Sequence, residues 1–408
     1  MRRLFLIAFL LVASVASAGD FINFPNFPTR GQGPFDRGGV WWNDSSLTFY
    51  APFDDPANPL RLIKGTGTLS FTRATTATYV HPTTGLVTTA ASGQLRIESN
   101  GALIEGQRTN VLRWSRALDN EAWVKTNTTA GKTITGEDGV ANSASWVAAS
   151  ADNGTICQPV TIASAAYSGA FSLKRITGTG TVMISLDNGA TYGSDVSGLM
   201  DNVTWGRFKK ENQTLANPDL CLKLGTSGDN VAVDYAQVEA GAFIVSRIST
   251  TTAAVTRNAD VLFVGVSGNI DVTVGTAAFT VDQKQHLDTD HYKLSTGNAG
   301  RIGYDGNTTI YGVQKLVDGT NTFSTTTVVM PTVNTPAKYA TYWGGTVMGI
   351  YINGSGESGT FDGSFEAGAN LGIGYRNADN SQFLYGHIKN LRIWSRSFSN
   401  EELQAITK

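Results

Sequence analysis

Between Val111 and Gly241 the chain is cut into short runs: Ala144 to Val147, Ile156 to Val160, Ala170 to Leu173, Thr181 to Leu186, Leu220 to Leu224 and Val231 to Tyr235. Each is bounded by glycine, asparagine or serine, so each reads as a strand between turns. Strands at this spacing belong to a sandwich or jelly roll. In the last run Val231, Val233 and Tyr235 share a face, and Asp234 points the other way. Composition agrees: 45 of 408 residues are glycine and only 16% are charged, which suits a turn-rich all-β chain better than a helical enzyme. The formal net charge of -2 offers no basic stripe for phosphates, so no nucleic-acid partner is expected.

The chain start reads differently. Arg2 and Arg3 precede an apolar run from Leu4 to Val15, followed by Ala16-Ser17-Ala18. This is the form of a secretory signal peptide over 1–18, cleaved after Ala18. The run falls short of the about 20 residues a transmembrane helix needs, so no membrane partner is expected after cleavage. Residues 19–46, with Phe24-Pro25, Phe27-Pro28 and Trp41-Trp42, show no period and read as an extended arm or linker. In an exported chain Cys157 and Cys221 form either a disulfide or two buried thiols, and spacing does not decide between them.

From Val261 to Thr407 strands are again expected, including Val272 to Val274, Ala337 to Trp343 and Met348 to Ile352. Ile350-Tyr351-Ile352-Asn353-Gly354 is a strand entering a tight hairpin turn. Leu371-Gly372-Ile373-Gly374 and Phe383 to Trp394 read as two more strands, with a bulge suggested at Gly386 or Asn390. Ser399-Asn400-Glu401-Glu402 is a capping box opening a short helix that turns Leu403 and Ile406 inward. This closing segment resembles the end of laminin-G-like domains of the concanavalin A-like lectin fold. Residues 256–408 are expected to fold alone, with Leu391, Ile393 and Leu403 buried and the helix covering the first two.

A second resemblance rests on three stretches. They are SFTRATTATYV (Ser70 to Val80), GALIEGQRTN running into NVLRWS (Gly101 to Ser115), and YAQVEAGAFIVSRISTTTAAVTRNAD (Tyr235 to Asp260). Together, in this order, they resemble a recurrent module of bacteriophage tail-fibre-like and other virion appendage proteins. The expected fold class is therefore all-β: a jelly-roll-like β-sandwich followed by a concanavalin A-like (laminin-G-like) β-sandwich. The organisation expected is an appendage-type β segment over 47–110, a carbohydrate-module-like jelly roll over 111–245, a linker over 246–260 and the laminin-G-like domain over 261–408. The resemblance implies a virion surface location, with other virion or surface proteins as partners and a homo-oligomer, such as a trimer, left open.

Catalytic chemistry finds little footing. Asp362, Ser364 and Glu366 share a strand face, but retaining glycosidases of the concanavalin A-like fold carry Glu, Asp and Glu there. The first position is thus the wrong acid and the middle one is a serine, and paired carboxylates must divide acid and nucleophile roles. No histidine lies beside a Gly-x-Ser-x-Gly elbow. No enzyme activity and no cofactor are expected; calcium at Asp288 and Asp290 is the one metal left open. Sugar binding needs an aromatic platform and planar polar groups. Trp343, Tyr351, Tyr375, Arg376, Asn377 and Asp379 supply those types and are the candidate ligand residues. The expected function is non-enzymatic recognition of surface glycans by an attachment protein. A purely structural virion or cell-surface component and a secreted glycoside hydrolase are the alternatives.

Overall fold

A computed structural model describes residues 45–285, 291–296, 301–305, 313–314, 323–324, 328, 331–361, 363–364 and 368–408. The expected signal peptide, nearly all of the arm, Asp288, Asp290, Asp362 and Glu366 lie outside the described residues. Those described from residue 45 onward belong to one compact unit that contains two hydrophobic cores. The protein is all-β, built from antiparallel sheets, with one short α-helix at the C-terminus. Among the described residues no helix is long and apolar enough to cross a membrane.

The middle core lies between two sheets. One has the order Gly206–Leu215, Ala165–Thr177, Asn230–Ala240, Ala144–Ala149, Thr128–Ile134; the other runs Val182–Ser185, Asp219–Leu224, Gly154–Pro159, Val124–Thr126. Every run expected as a strand here is found in one. Val147, Ile156, Phe171, Leu173, Leu222, Val231 and Val233 fill the space between. Cys157 and Cys221 are direct cross-strand partners and form a disulfide (S–S 2.04 Å). Their sulfurs and Asp219 make up the one group of three metal-type ligands found among the described residues, and the disulfide removes both thiolates from it.

The second core is discontinuous in sequence. Its large sheet runs Ser355–Thr360, Val347–Ile352, Ala337–Gly344, Gly275–Gln283, Gly386–Trp394, Gly101–Ile104, Ile97–Glu98, and Leu47–Ala51 also pairs with Gly386–Trp394. The facing sheet runs Ser70–Thr72, Val261–Gly265, Asn370–Ile373, His291–Ser295, Arg301–Asp305. Strands from 47–110 are thus built into both sheets of the C-terminal sandwich rather than standing as a segment of their own. Phe49, Phe53, Phe71, Ile97 and Ile104 pack in the same core as Phe279, Trp343, Leu371 and Leu391. The middle sandwich is an insertion: Arg108–Asn110 leads into it, Val255–Arg257 leads out, and the two strands pair antiparallel.

Local details follow the sequence closely. Asn353 (φ 48°) and Gly354 (φ 85°) take the left-handed geometry of a two-residue hairpin turn. Asn390 (φ 56°) marks the bulge in the closing strand, beside a register shift against Ala278 and Thr280. Gly101 (φ 118°) has no room for a side chain, because a Cβ would sit 2.3 Å from the Ile388 carbonyl oxygen. Ser399 caps the helix Asn400–Thr407 with both bonds of the capping box, and Leu403 is buried. The helix does not cover Leu391 and Ile393, which point into the core between the sheets. Alternation puts Arg392 on the outer face, and there Ala405 and Ile406 of the helix share a trough with it.

Candidate functional site

The strand Asn230–Ala240 begins with Val231 and Val233 in the middle core. Strict alternation would put Tyr235 beside them, but Tyr235 has φ 41° and the pairing with Ala165–Thr177 shifts register there. One residue is absorbed, so Ala236 and Val238 return to the core and Gln237 and Glu239 take the opposite face. That face looks toward the second sandwich. Tyr235 itself stacks under the Arg116 guanidinium (4.2 Å), which Asp234 holds with bonds of 2.6 and 2.9 Å.

The three stretches that resemble the appendage module meet at this junction. Arg73 of the first donates to Asp260 of the third (2.9 Å). Arg96 donates to the other Asp260 oxygen (2.5 Å) and reaches Glu105 of the second stretch (2.9 Å). Arg257 lies 3.5 Å from both Glu105 and Asp260 and donates to the Gly106 carbonyl (2.6 Å). The backbone N–H of Glu105 donates to Asp260 (2.9 Å), and Ser246 donates to Glu105 through its N–H and its hydroxyl (2.9 and 2.7 Å). Asn110 donates to the carbonyls of Ala236 and Ile248 (3.0 and 2.8 Å). All five ionic side chains of this cluster are buried. Burial alone would raise the Glu105 carboxyl; Arg257 and Arg96 outweigh it and hold the group well below the usual carboxylate range.

Beside the cluster opens a cleft of about 160 Å³ between the two sandwiches. Tyr79, His387 and Phe243 are among its buried lining residues; Lys209 and Asn334 are exposed at its rim, with Glu98, Arg207, Lys284 and Tyr385 half-buried between. Phe243 and Tyr385 meet edge to face at 4.8 Å, and the Arg108 guanidinium lies 5.2 and 4.9 Å from their ring centres. Gly106 makes this possible, since a Cβ there would lie 2.4 Å from the Tyr385 hydroxyl. His387 bridges two carboxylates: Nε2 is 2.9 Å from Glu98 and Nδ1 is 3.4 Å from Asp282. Burial by itself would lower its pKa, but the bonds to Asp282 and Glu98 prevail and raise it. Glu98, for which burial works the other way, is held low by His387. Nearby, burial pushes Glu239 up to about 7 against its bond from Gln237 and the charge of Arg108.

The residues expected to bind ligand lie elsewhere. Trp343 (0% exposed), Tyr351 (7%) and Tyr375 (1%) are packed inside the protein, so none offers a ring face to a sugar. The Trp343 indole donates to the Asp271 carbonyl (2.8 Å), and Tyr375 stacks on Phe383 at 5.8 Å. Arg376, Asn377 and Asp379 do share one loop, where Arg376 bonds Gln382 (3.2 Å) and Asn377 donates to the Asn370 carbonyl (2.7 Å). These contacts shape the loop. The junction residues went unread because a charged side chain is taken as surface by default. A signal was present: Arg96 sits between Leu95 and Ile97, Glu105 follows Leu103-Ile104, and Glu239 follows Val238. A charge inside an apolar strand is buried and paired, or it is misplaced.

No protein-family model and no curated protein matches the sequence. Among solved structures, domain 4 of AbnA, an extracellular arabinanase of Geobacillus stearothermophilus seen with arabinotriose, shares 15% identity over 41% of this chain and 82% of its own, with a TM-score of 0.28. A provisionally described carbohydrate binding protein of Bacteroides ovatus shares 11% identity over 74% of this chain and 84% of its own, at TM-score 0.30. The tandem carbohydrate-binding modules at the N-terminus of Paenibacillus barcinonensis Xyn10C share 8% identity over 74% and 95%, at TM-score 0.25. Scores this low carry no argument about this chain's family or ligand.

Proposed function

We propose that the protein is a non-enzymatic carbohydrate-binding attachment protein, and that the cleft between its sandwiches takes the sugar. The lining carries this reading. It combines one half-buried aromatic ring, Tyr385, with planar or charged hydrogen-bonding groups, Glu98, Arg207, Lys284 and Asn334, in one concavity. Apolar sugar faces pack on the former, and hydroxyls bond the latter. A volume of about 160 Å³ lies below the about 300–1,000 Å³ of drug-sized sites, which suits one sugar unit or a chain end. Export, an oxidising destination for the Cys157–Cys221 disulfide and a phage-type appendage setting belong to the same proposal. The appendage setting is supported by the three stretches whose resemblance first suggested it.

A glycan array probed with the chain from Gly19 tests the reading. Lys209 and Asn334 are exposed at the rim, so Lys209→Ala with Asn334→Gly, glycine keeping the left-handed φ of 58° at that position, removes two contacts without disturbing a core. Array signal that falls in this double variant supports the cleft. Absence of signal on every glycan, or signal indifferent to the rim, overturns the assignment.

A further inference from the structure

Arg207 separates itself from the other cations of the cleft. Lys209 pairs with Glu211 (3.3 Å), Lys284 with Asp282 (2.5 Å), and Arg247 donates from Nε to Glu137 (2.6 Å). Among the described residues no carboxylate lies within ion-pair distance of Arg207. Its Nη1 donates to the Tyr235 carbonyl (3.0 Å) and the Ser172 hydroxyl (3.4 Å), and Nη2 donates to the Gln237 side-chain oxygen (3.0 Å). All three acceptors are neutral.

The support behind the guanidinium is fixed. Gln237 is fully buried; its amide donates to Glu239 (2.6 Å), and its oxygen also accepts from the Ile248 N–H (2.9 Å). Tyr235 is placed by the bulge that turns this strand's polar residues toward the cleft. A guanidinium has five N–H donors, and three protein bonds leave Nε–H and one Nη2–H unused. Burial, with Arg247 alongside, pushes Arg207 down to about 9 against the more distant charges of Glu137, Glu239 and Asp234, which leaves it a cation at neutral pH. A held cation with two spare donors and no carboxylate bonded to it is what a carboxylate completes, because guanidinium and carboxylate match in plane and spacing.

Resting on the carbohydrate reading of this cleft, we infer that the ligand is an acidic sugar, and that its carboxylate is bound by Arg207. Arg207 then sets specificity: a neutral sugar would leave a cation in the cleft wall with no bonded anion.

The test is an array carrying uronic-acid, nonulosonic-acid, sulfated and neutral glycans, with selected carboxylates also printed as methyl esters. Signal is expected on carboxylated glycans and lost on their esters. It should weaken as salt rises and fall about tenfold or more in Arg207→Gln, since a charge-assisted pair is lost. Arg207→Lys keeps the charge but not the planar fork, and should fall in between. Unchanged melting curves for both variants establish that the fold is intact, and the ester and salt arms use the wild type alone. Signal on neutral or sulfated glycans, indifferent to esterification and to Arg207→Gln but lost in the rim variant, overturns the acidic-sugar assignment and leaves the cleft standing. Signal indifferent to both Arg207 and the rim overturns both.

Discussion

Asp260 is the point at which the junction is most exposed to a single change. One of its oxygens accepts from Arg73, the other from Arg96 and from the Glu105 N–H, and Arg257 stands 3.5 Å away. In Asp260→Asn one acceptor becomes a donor aimed at a guanidinium, and three buried arginines are left facing one buried glutamate. Breaking a buried pair from one side costs about 3–5 kcal/mol, because an uncompensated charge remains in low dielectric. A domain's whole stability is about 5–15 kcal/mol. For a sandwich of this size each kcal/mol moves the melting temperature by about 2–4 °C, so the variant should melt roughly 6–20 °C lower. Calorimetry at a fixed scan rate measures this. The partners act as one group, so adding Glu105→Gln to Asp260→Asn should cost less than the two single effects summed. A single-variant shift under about 2 °C, or strict additivity, would refute the view that one buried network joins the three stretches.

Three further outcomes follow from the site and the disulfide. His387 has a raised pKa, so its ion pairs stabilise fully below its ordinary value of 6.5 and fade as pH rises through the folded value; as pH rises above about 6.5 the wild type should lose melting temperature more steeply than His387→Gln. Glu98 and Glu105 have lowered values, so their contribution is complete above about 4.5 and drains away as acid is added; acid unfolding should shift to higher pH in Arg257→Gln, where Glu105 loses a cation. Cys157→Ala with Cys221→Ala opens a loop spanning 64 positions, for which chain entropy predicts a loss of about 4 kcal/mol; urea titration of oxidised and double-variant protein should show it.

Local features were legible in the sequence and long-range ones were not. The strand runs of the middle sandwich, the Asn353-Gly354 turn, the bulge at Asn390 and the Ser399 capping box depend on neighbouring residues alone, and each is found where its residues stand. Period-two alternation tells that Val231 and Val233 share a face, but not that a left-handed residue at Tyr235 resets the count. It groups aromatics on a face without saying whether water or core lies on that side, which is why Trp343, Tyr351 and Tyr375 read as ligand contacts and are packed inside. The cleft is assembled from side chains as far apart as Tyr79, Arg207 and His387, and no local pattern joins them.

The same limit governs which fragment can fold. Residues 256–408 look like a self-contained sandwich in sequence, and a C-terminal fragment would be cut there. In the structure their core also holds Phe49, Phe53, Leu69, Phe71, Leu95, Ile97 and Ile104. Burying a large apolar side chain is worth about 1.5–3 kcal/mol, so the cut forfeits roughly 10–20 kcal/mol, at or above the about 5–15 kcal/mol a domain has. It also strands Arg257 and Asp260 without Arg73, Arg96 and Glu105. A chain of residues 45–110 joined to 255–408 keeps both sheets, that core and all five charges. The join is short, because Asn110 and Val255 are already cross-strand partners, so a two-residue Asn-Gly turn can close it. The joined chain should be soluble, show dispersed amide resonances and melt cooperatively, whereas 256–408 alone should be aggregated or molten. Cooperative melting of 256–408 alone would show that the strands from 47–110 decorate a finished sandwich instead of completing it.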